Sequence, residues 1–119
     1  MPSLVYIVDD DEAVRDSMRL LLESSGVGTR AFASADLFLN SDMGDMGCLL
    51  LDLHMPEISG LELLRLIRSR GLTRPVIMVS GRRDPVQDAE LRAAGASALL
   101  AKPFEDRQLL DLVEKALKA

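Results

Sequence analysis

Three aspartates, a serine and a lysine carry the chemistry this sequence offers. Asp9 and Asp10 follow the apolar run Leu4–Val8, and Asp52 follows Cys48–Leu51. Ser80 follows Val76–Val79, and Lys102 follows Ala98–Ala101. Each polar residue stands where a strand-length apolar run stops. If those runs are parallel strands of one sheet, all of them end on one edge, where ligands bind in open α/β sheets. Three carboxylates, a hydroxyl and an ammonium would then meet at one spot. Hard oxygen ligands suit Mg²⁺, which keeps several waters and takes one or two carboxylates. Asp10 and Asp52 are the expected ligands, with Asp9 acting through water and the backbone carbonyl of His54 adding an oxygen. Carboxylates crowded in this way repel one another and titrate as a set, and a divalent cation relieves the repulsion.

A carboxylate can also attack phosphorus. Asp52 is the expected nucleophile and phosphoacceptor. Transfer of a phosphoryl group needs positioning and positive charge around its oxygens. Lys102 and the Ser80 hydroxyl are expected to meet the phosphate, and the N–H of Gly81 to donate to it. Gly81 lacks a side chain, which lets a phosphate come close. Lys102 precedes Pro103, which biases it toward extended backbone and favours a cis bond there more than any other residue would.

Taken singly, these residues have plainer readings. Asp9 to Glu12 could be an acidic helix start favoured by the helix dipole. Ser80 alone reads as a loop residue, and Lys102 alone as a solvated charge adding little to folding. His54 reads as an exposed loop residue, and Arg82-Arg83 as a solvated pair. The coincidence that every predicted strand except the second ends in a member of one site favours the functional reading.

The elements that must position these residues are legible from periodicity. Strands are expected at Leu4–Val8, Val27–Phe32, Cys48–Leu51, Pro75–Val79 and Ala98–Ala101. The first, third and fourth are nearly continuous apolar runs, as for strands covered on both faces. The second is patchy, which suits an edge. Helices are expected at Glu12–Ser25, Ser34–Asn40, Leu61–Arg70, Asp84–Ala94 and Glu105–Lys118. In the first, Val14, Met18, Leu21 and Leu22 share one face; in the last, Leu109, Leu110, Val113, Ala116 and Leu117 do. Val86, Ala89 and Ala93 form a thin apolar stripe on the fourth. Ser59 with Glu62 has the capping-box spacing. Asp84 reads as an N-cap with Pro85 at the first helical position, and Gly26, Gly71 and Gly95 fall at left-handed helix ends. The alternation gives an α/β fold of the (βα)₅ type: a doubly wound, five-stranded parallel sheet of order 2-1-3-4-5, flavodoxin-like, with its switch point between strands one and three.

Length and composition agree. The chain has 119 residues, 48 % apolar and 28 % charged, which suits one domain over residues 1–119. The net charge of −5 argues against a nucleic-acid surface on this unit. No apolar run approaches the roughly 20 residues that span a bilayer, and no signal peptide is visible. The single cysteine, Cys48, excludes an internal disulfide and reads as a buried thiol of a cytoplasmic protein.

With these residues placed, the chain resembles the receiver domains of two-component response regulators over essentially its whole length. The motifs are Val8-Asp9-Asp10, Asp52-Leu53-His54-Met55-Pro56-Glu57-Ile58-Ser59-Gly60, Val79-Ser80-Gly81 and Ala101-Lys102-Pro103-Phe104. The resemblance implies phosphoryl transfer from the phosphohistidine of a sensor histidine kinase to Asp52, with Mg²⁺ or another divalent cation such as Mn²⁺. It implies Asp9 and Asp10 as the acidic pair, Ser80 as the switch hydroxyl and Lys102 as the phosphate-contacting lysine. Phosphorylation is then expected to alter the last two helices and promote a homodimer. The acceptor loop also resembles those of transcriptional regulators with a C-terminal helix-turn-helix domain. No such domain is in this sequence, so DNA contact is expected only through one. One departure stands out: Leu99 occupies a position where many receivers carry Tyr or Phe, so an aromatic rotamer switch is not available. Two alternatives stay open at this point. One is a small Mg²⁺-dependent phosphohydrolase with His54, two residues past Asp52, as acid–base. The other is a phosphorylation-independent docking module.

Overall fold

The computed structural model describes residues 4–118. Elements alternate along the chain as β1 (Leu4–Val8), α1 (Glu12–Ser24), β2 (Thr29–Phe32), α2 (Ala35–Leu39), β3 (Met46–Asp52), α3 (Gly60–Ser69), β4 (Val76–Ser80), α4 (Pro85–Ala93), β5 (Ala98–Ala101) and α5 (Asp106–Leu117). All strand pairs are parallel, in the order β2-β1-β3-β4-β5. The expected topology is therefore the observed one, with the reversal of strand order at β1 and β3.

The continuous apolar runs have a direct cause. Side chains alternate across a strand, and both faces of this sheet are covered. Val5, Ile7, Leu50, Ile77 and Val79 point into one core with Met18 and Leu22 of α1 and Leu109 and Val113 of α5. Tyr6, Val8, Leu49, Leu51 and Met78 point into the other with Phe38 of α2, Leu63, Leu64 and Ile67 of α3 and Leu91 of α4. Each buried Leu or Val side chain contributes roughly 1.5–3 kcal/mol of hydrophobic stabilisation. Aromatics are few, yet Tyr6, Phe32 and Phe38 gather in the second core with centroids 5.7–6.3 Å apart.

Caps end the elements where the sequence indicates. Asp11, Ser34, Ser59 and Asp84 cap α1, α2, α3 and α4, each accepting from a backbone N–H of the first turn. At α3 the box is half formed: Ser59 Oγ accepts from Glu62 N–H, and Glu62 meets the Ser59 hydroxyl instead of its backbone. Gly26, Gly71 and Gly95 have φ of 84°, 84° and 109°, the left-handed region that glycine enters without penalty.

Three expectations are corrected. Strand β2 starts at Thr29, because Val27 N–H instead closes the end of α1 on Leu22 O. Strand β3 starts earlier and ends later than its apolar run, at Met46 and Asp52, and is buried throughout. The stripe Val86, Ala89 and Ala93 on α4 faces solvent, with Val86 71 % exposed. Leu91 is the buried residue of that helix, because the side carrying Gln87, Leu91 and Ala94 turns inward instead of the stripe.

Candidate phosphoacceptor and metal site

The register carries three of the acids to one edge. Val8 lies beside Leu51 in the β1–β3 ladder, so the residues that follow them emerge together. Asp52 is the last residue of β3 and pairs with Val79, next to Ser80 at the end of β4. Ser80 in turn pairs with Ala101, the residue before Lys102. One oxygen from each of Asp9, Asp10 and Asp52 lies within 4.8 Å of the others. Lys102 Nζ is 3.3 Å from Asp9 Oδ2 and 3.4 Å from Asp52 Oδ1. Asp9 is fully buried and Asp52 nearly so, whereas Asp10 is open to solvent.

The turn after β1 is tightly held. Asp9 Oδ1 accepts from Asp11 N–H at 2.9 Å, and Asp9 O accepts from Arg15 Nη1 at 2.8 Å. On the other side of the site, Gly60 N–H donates to Leu53 O at 2.8 Å. A Cβ on Gly60 would stand 2.5 Å from Asp52 O and 2.8 Å from Leu53 Cα. Only glycine lets the start of α3 come this close behind Asp52.

Charge is balanced unevenly. Burial pushes the Asp52 carboxyl up, and the Asp9 carboxylate adds to this; Lys102 and the His54 backbone amide pull it back only in part. Burial pulls the Lys102 ammonium down, but the Asp52 and Asp9 carboxylates outweigh it and hold it above the ordinary lysine value. The site thus keeps its cation and resists ionising Asp52, the condition a divalent ion relieves. Three clustered hard-oxygen donors, one of them open to water, fit Mg²⁺ or Mn²⁺ and not a soft-ligand metal.

The remaining expected residues sit at the rim. Ser80 is buried, and its hydroxyl donates to Arg82 O at 2.9 Å, within its own loop. Gly81 is exposed, its φ is not left-handed, and a Cβ there would meet no protein atom within 4 Å. His54 is exposed, and its backbone amide is the part that bears on Asp52. Lys102 corrects the reading of it as a solvated charge: its side chain is 25 % exposed and paired with two buried acids. The Lys102–Pro103 bond is cis. Cys48 is buried in β3, and burial pushes its thiol up to about 12, so it is inert.

Residues 5–114 match the family described as the response regulator receiver domain. The chain belongs to that family. It is 42 % identical over 118 residues to the response regulator protein TmoT of Ectopseudomonas mendocina, covering 98 % of this chain and 53 % of that protein. It is 41 % identical to the transcriptional regulatory protein FixJ of Azorhizobium caulinodans, covering 95 % of this chain and 54 % of that one. This receiver thus spans about half the length of the curated relatives it matches. Among solved structures, that of the response regulator StyR superposes with a TM-score of 0.90 at 35 % identity, over 99 % of this chain and 60 % of that one. A CheY-like receiver from Methanospirillum hungatei JF-1 gives 0.88 at 30 % identity, over 99 % and 95 %. The receiver is a signalling domain and not a metabolic enzyme.

Two contributions escaped the reading of single residues. Arg15 lies a turn inside α1, and only the lean of helical side chains toward the N-terminus would have pointed it at Asp9. Gly60 stood in a recognised motif, but its role depends on how closely α3 approaches β3.

Proposed function

We propose that this receiver is a phosphorylation-driven switch in which Asp52 accepts a phosphoryl group from the phosphohistidine of a sensor histidine kinase. A carboxylate oxygen of Asp52 forms the bond to phosphorus, the phosphorus–nitrogen bond breaks, and the imidazole leaves with the bonding pair and takes up a proton. Lys102 already stands against Asp52 and would pair with the new phosphate oxygens. Ser80 would exchange its bond to Arg82 O for one to the phosphate, with the Gly81 N–H beside it. Asp9, Asp10, Asp52 and the His54 carbonyl would hold Mg²⁺ or Mn²⁺, which when bound offsets negative charge on the transferring group. Release of the Ser80–Arg82 bond would shift the loop into α4 and change the α4–β5–α5 surface, biasing a homodimer. Because Leu99 replaces an aromatic ring, the signal would travel through that backbone. Output to DNA would pass through an effector domain outside this sequence, in a cytoplasmic regulator, with residues 1–119 forming one receiver unit.

The observation that carries this reading is the buried Asp52 between the acidic pair and Lys102. Intact mass after acetyl phosphate with MgCl₂ tests it. Wild type should gain one phosphoryl group and Asp52→Asn none; modification of the variant at the wild-type rate would contradict the assignment.

A further inference from the structure

We infer that Arg15 is a positioning residue for the divalent-cation site, acting through the backbone of Asp9. This rests on the reading of Asp9, Asp10 and Asp52 as metal ligands. Asp9 is held at three points. Its Oδ1 takes the Asp11 N–H at 2.9 Å, its Oδ2 faces Lys102 Nζ at 3.3 Å, and its carbonyl takes Arg15 Nη1 at 2.8 Å. The first two fix the side chain. The third fixes the peptide plane between Asp9 and Asp10, because that carbonyl belongs to the peptide bond leading into Asp10.

Asp10 is the open member of the cluster. Its direction therefore depends on the backbone that carries it. Arg15 is half-buried and reaches that backbone from the second turn of α1, along the N-terminal lean of helical side chains. A charged donor to a main-chain carbonyl is among the stronger neutral-acceptor bonds. Without it the peptide is free to turn, and Asp10 loses its aim at the space it shares with Asp52.

The sign of the effect separates positioning from simple charge. Arg15 is a cation close to an acidic, cation-binding cluster. Acting only through its charge, it would repel Mg²⁺, and Arg15→Ala would tighten binding. Acting by position, its removal weakens binding in spite of the lost repulsion. Partners behind a metal ligand characteristically change affinity by about tenfold or more.

The chain has no tryptophan, so MgCl₂ is titrated against the full chain by amide chemical shifts of residues 9–12 and 52. Wild type is read first. No saturable shift there removes the metal reading itself, and this inference with it. Given binding in wild type, Arg15→Ala should weaken Mg²⁺ by about tenfold, and Arg15→Lys, which keeps one charged donor, should recover most of it. The rate of phosphorylation from acetyl phosphate at saturating MgCl₂ should stay near wild type, placing the effect in affinity. Unchanged or tighter Mg²⁺ binding by a folded Arg15→Ala overturns the inference, as does a loss that Arg15→Lys does not reduce.

Discussion

Lys102 shows how far a side chain's worth depends on what it faces. As a strand-end lysine in water it would contribute at most about 1 kcal/mol. Here it is the cation between two buried carboxylates. The raised Lys102 value means that its stabilisation is complete below the ordinary lysine range and is lost only as pH climbs through the raised value. Lys102→Ala should therefore lower stability by about 1–3 kcal/mol across neutral pH. Urea unfolding checks this, and the loss should shrink in an Asp52→Asn background; an unchanged midpoint would contradict it. Asp52 follows the same direction but in the acid range, so its contribution is already gone at neutral pH. Its raised value makes the folded chain hold that proton to higher pH than the unfolded chain. Its contribution is present below the ordinary carboxylate range and is lost as pH rises through the raised value. At neutral pH the ionised Asp52 is a cost that a bound divalent cation would offset. At ten times its dissociation constant Mg²⁺ should add about 1.4 kcal/mol, seen as a rise in Tm at pH 7 and a much smaller one at pH 4. Equal rises at both pH values would count against the carboxylates as the ligands.

Among the elements, β3 and α3 decide how Asp52 is presented. Strand β3 carries its pairing through Asp52, so that carboxylate is held by the sheet and not by a loop. The turn of α3 behind it is set by Gly60, whose missing Cβ leaves room for Asp52 O, Leu53 Cα and Met78 Cε. Gly60→Ala forces these apart, and overpacking of this kind costs about 1–3 kcal/mol. Chemical denaturation should show that loss together with slower phosphorylation, because the displaced atoms include the Asp52 backbone; full stability would show that α3 can retreat freely. The far end of α3 is tied more firmly. Arg68 donates to Leu72 O, Arg74 O and Gly95 O at 2.7–2.8 Å, joining the end of α3 to the turn after α4. The start of α4 has a lighter fastening, the Arg83–Asp88 pair at 2.7 Å with a largely exposed arginine. The contrast leaves the first turns of α4 as the easier part to move.

For the whole molecule, the outward face of α4 is the surface a switch at Asp52 could alter. Val86, Ala89 and Ala93 lie open there, which gives self-association some apolar area without a large standing patch. Light scattering with and without beryllofluoride and MgCl₂ should show a monomer becoming a dimer, and the amides of residues 80–94 should shift. A monomer in both conditions, with those amides unmoved, would sink this route. Net charge −5 makes the unit a poor partner for nucleic acid by itself. No helix among the described residues is long and apolar enough to cross a membrane.

The strand-ending acids, the serine and the lysine were legible because a parallel sheet turns chain position into spatial position: residues that end consecutive strands share an edge whatever lies between. Continuous apolar runs made the central strands legible, and caps and left-handed glycines placed the helix ends, since both are local properties. What the sequence could not decide was which face of α4 meets the sheet. Its stripe Val86, Ala89 and Ala93 is periodic, yet Leu91 wins the core because helix orientation follows the packing of the whole layer. Nor could it decide that Lys102 is enclosed, that the Ser80 hydroxyl rests on Arg82 O, or that Arg15 reaches back to Asp9. Each of these depends on contacts between segments far apart in sequence or on a rotamer chosen by its surroundings, and only the folded arrangement sets those.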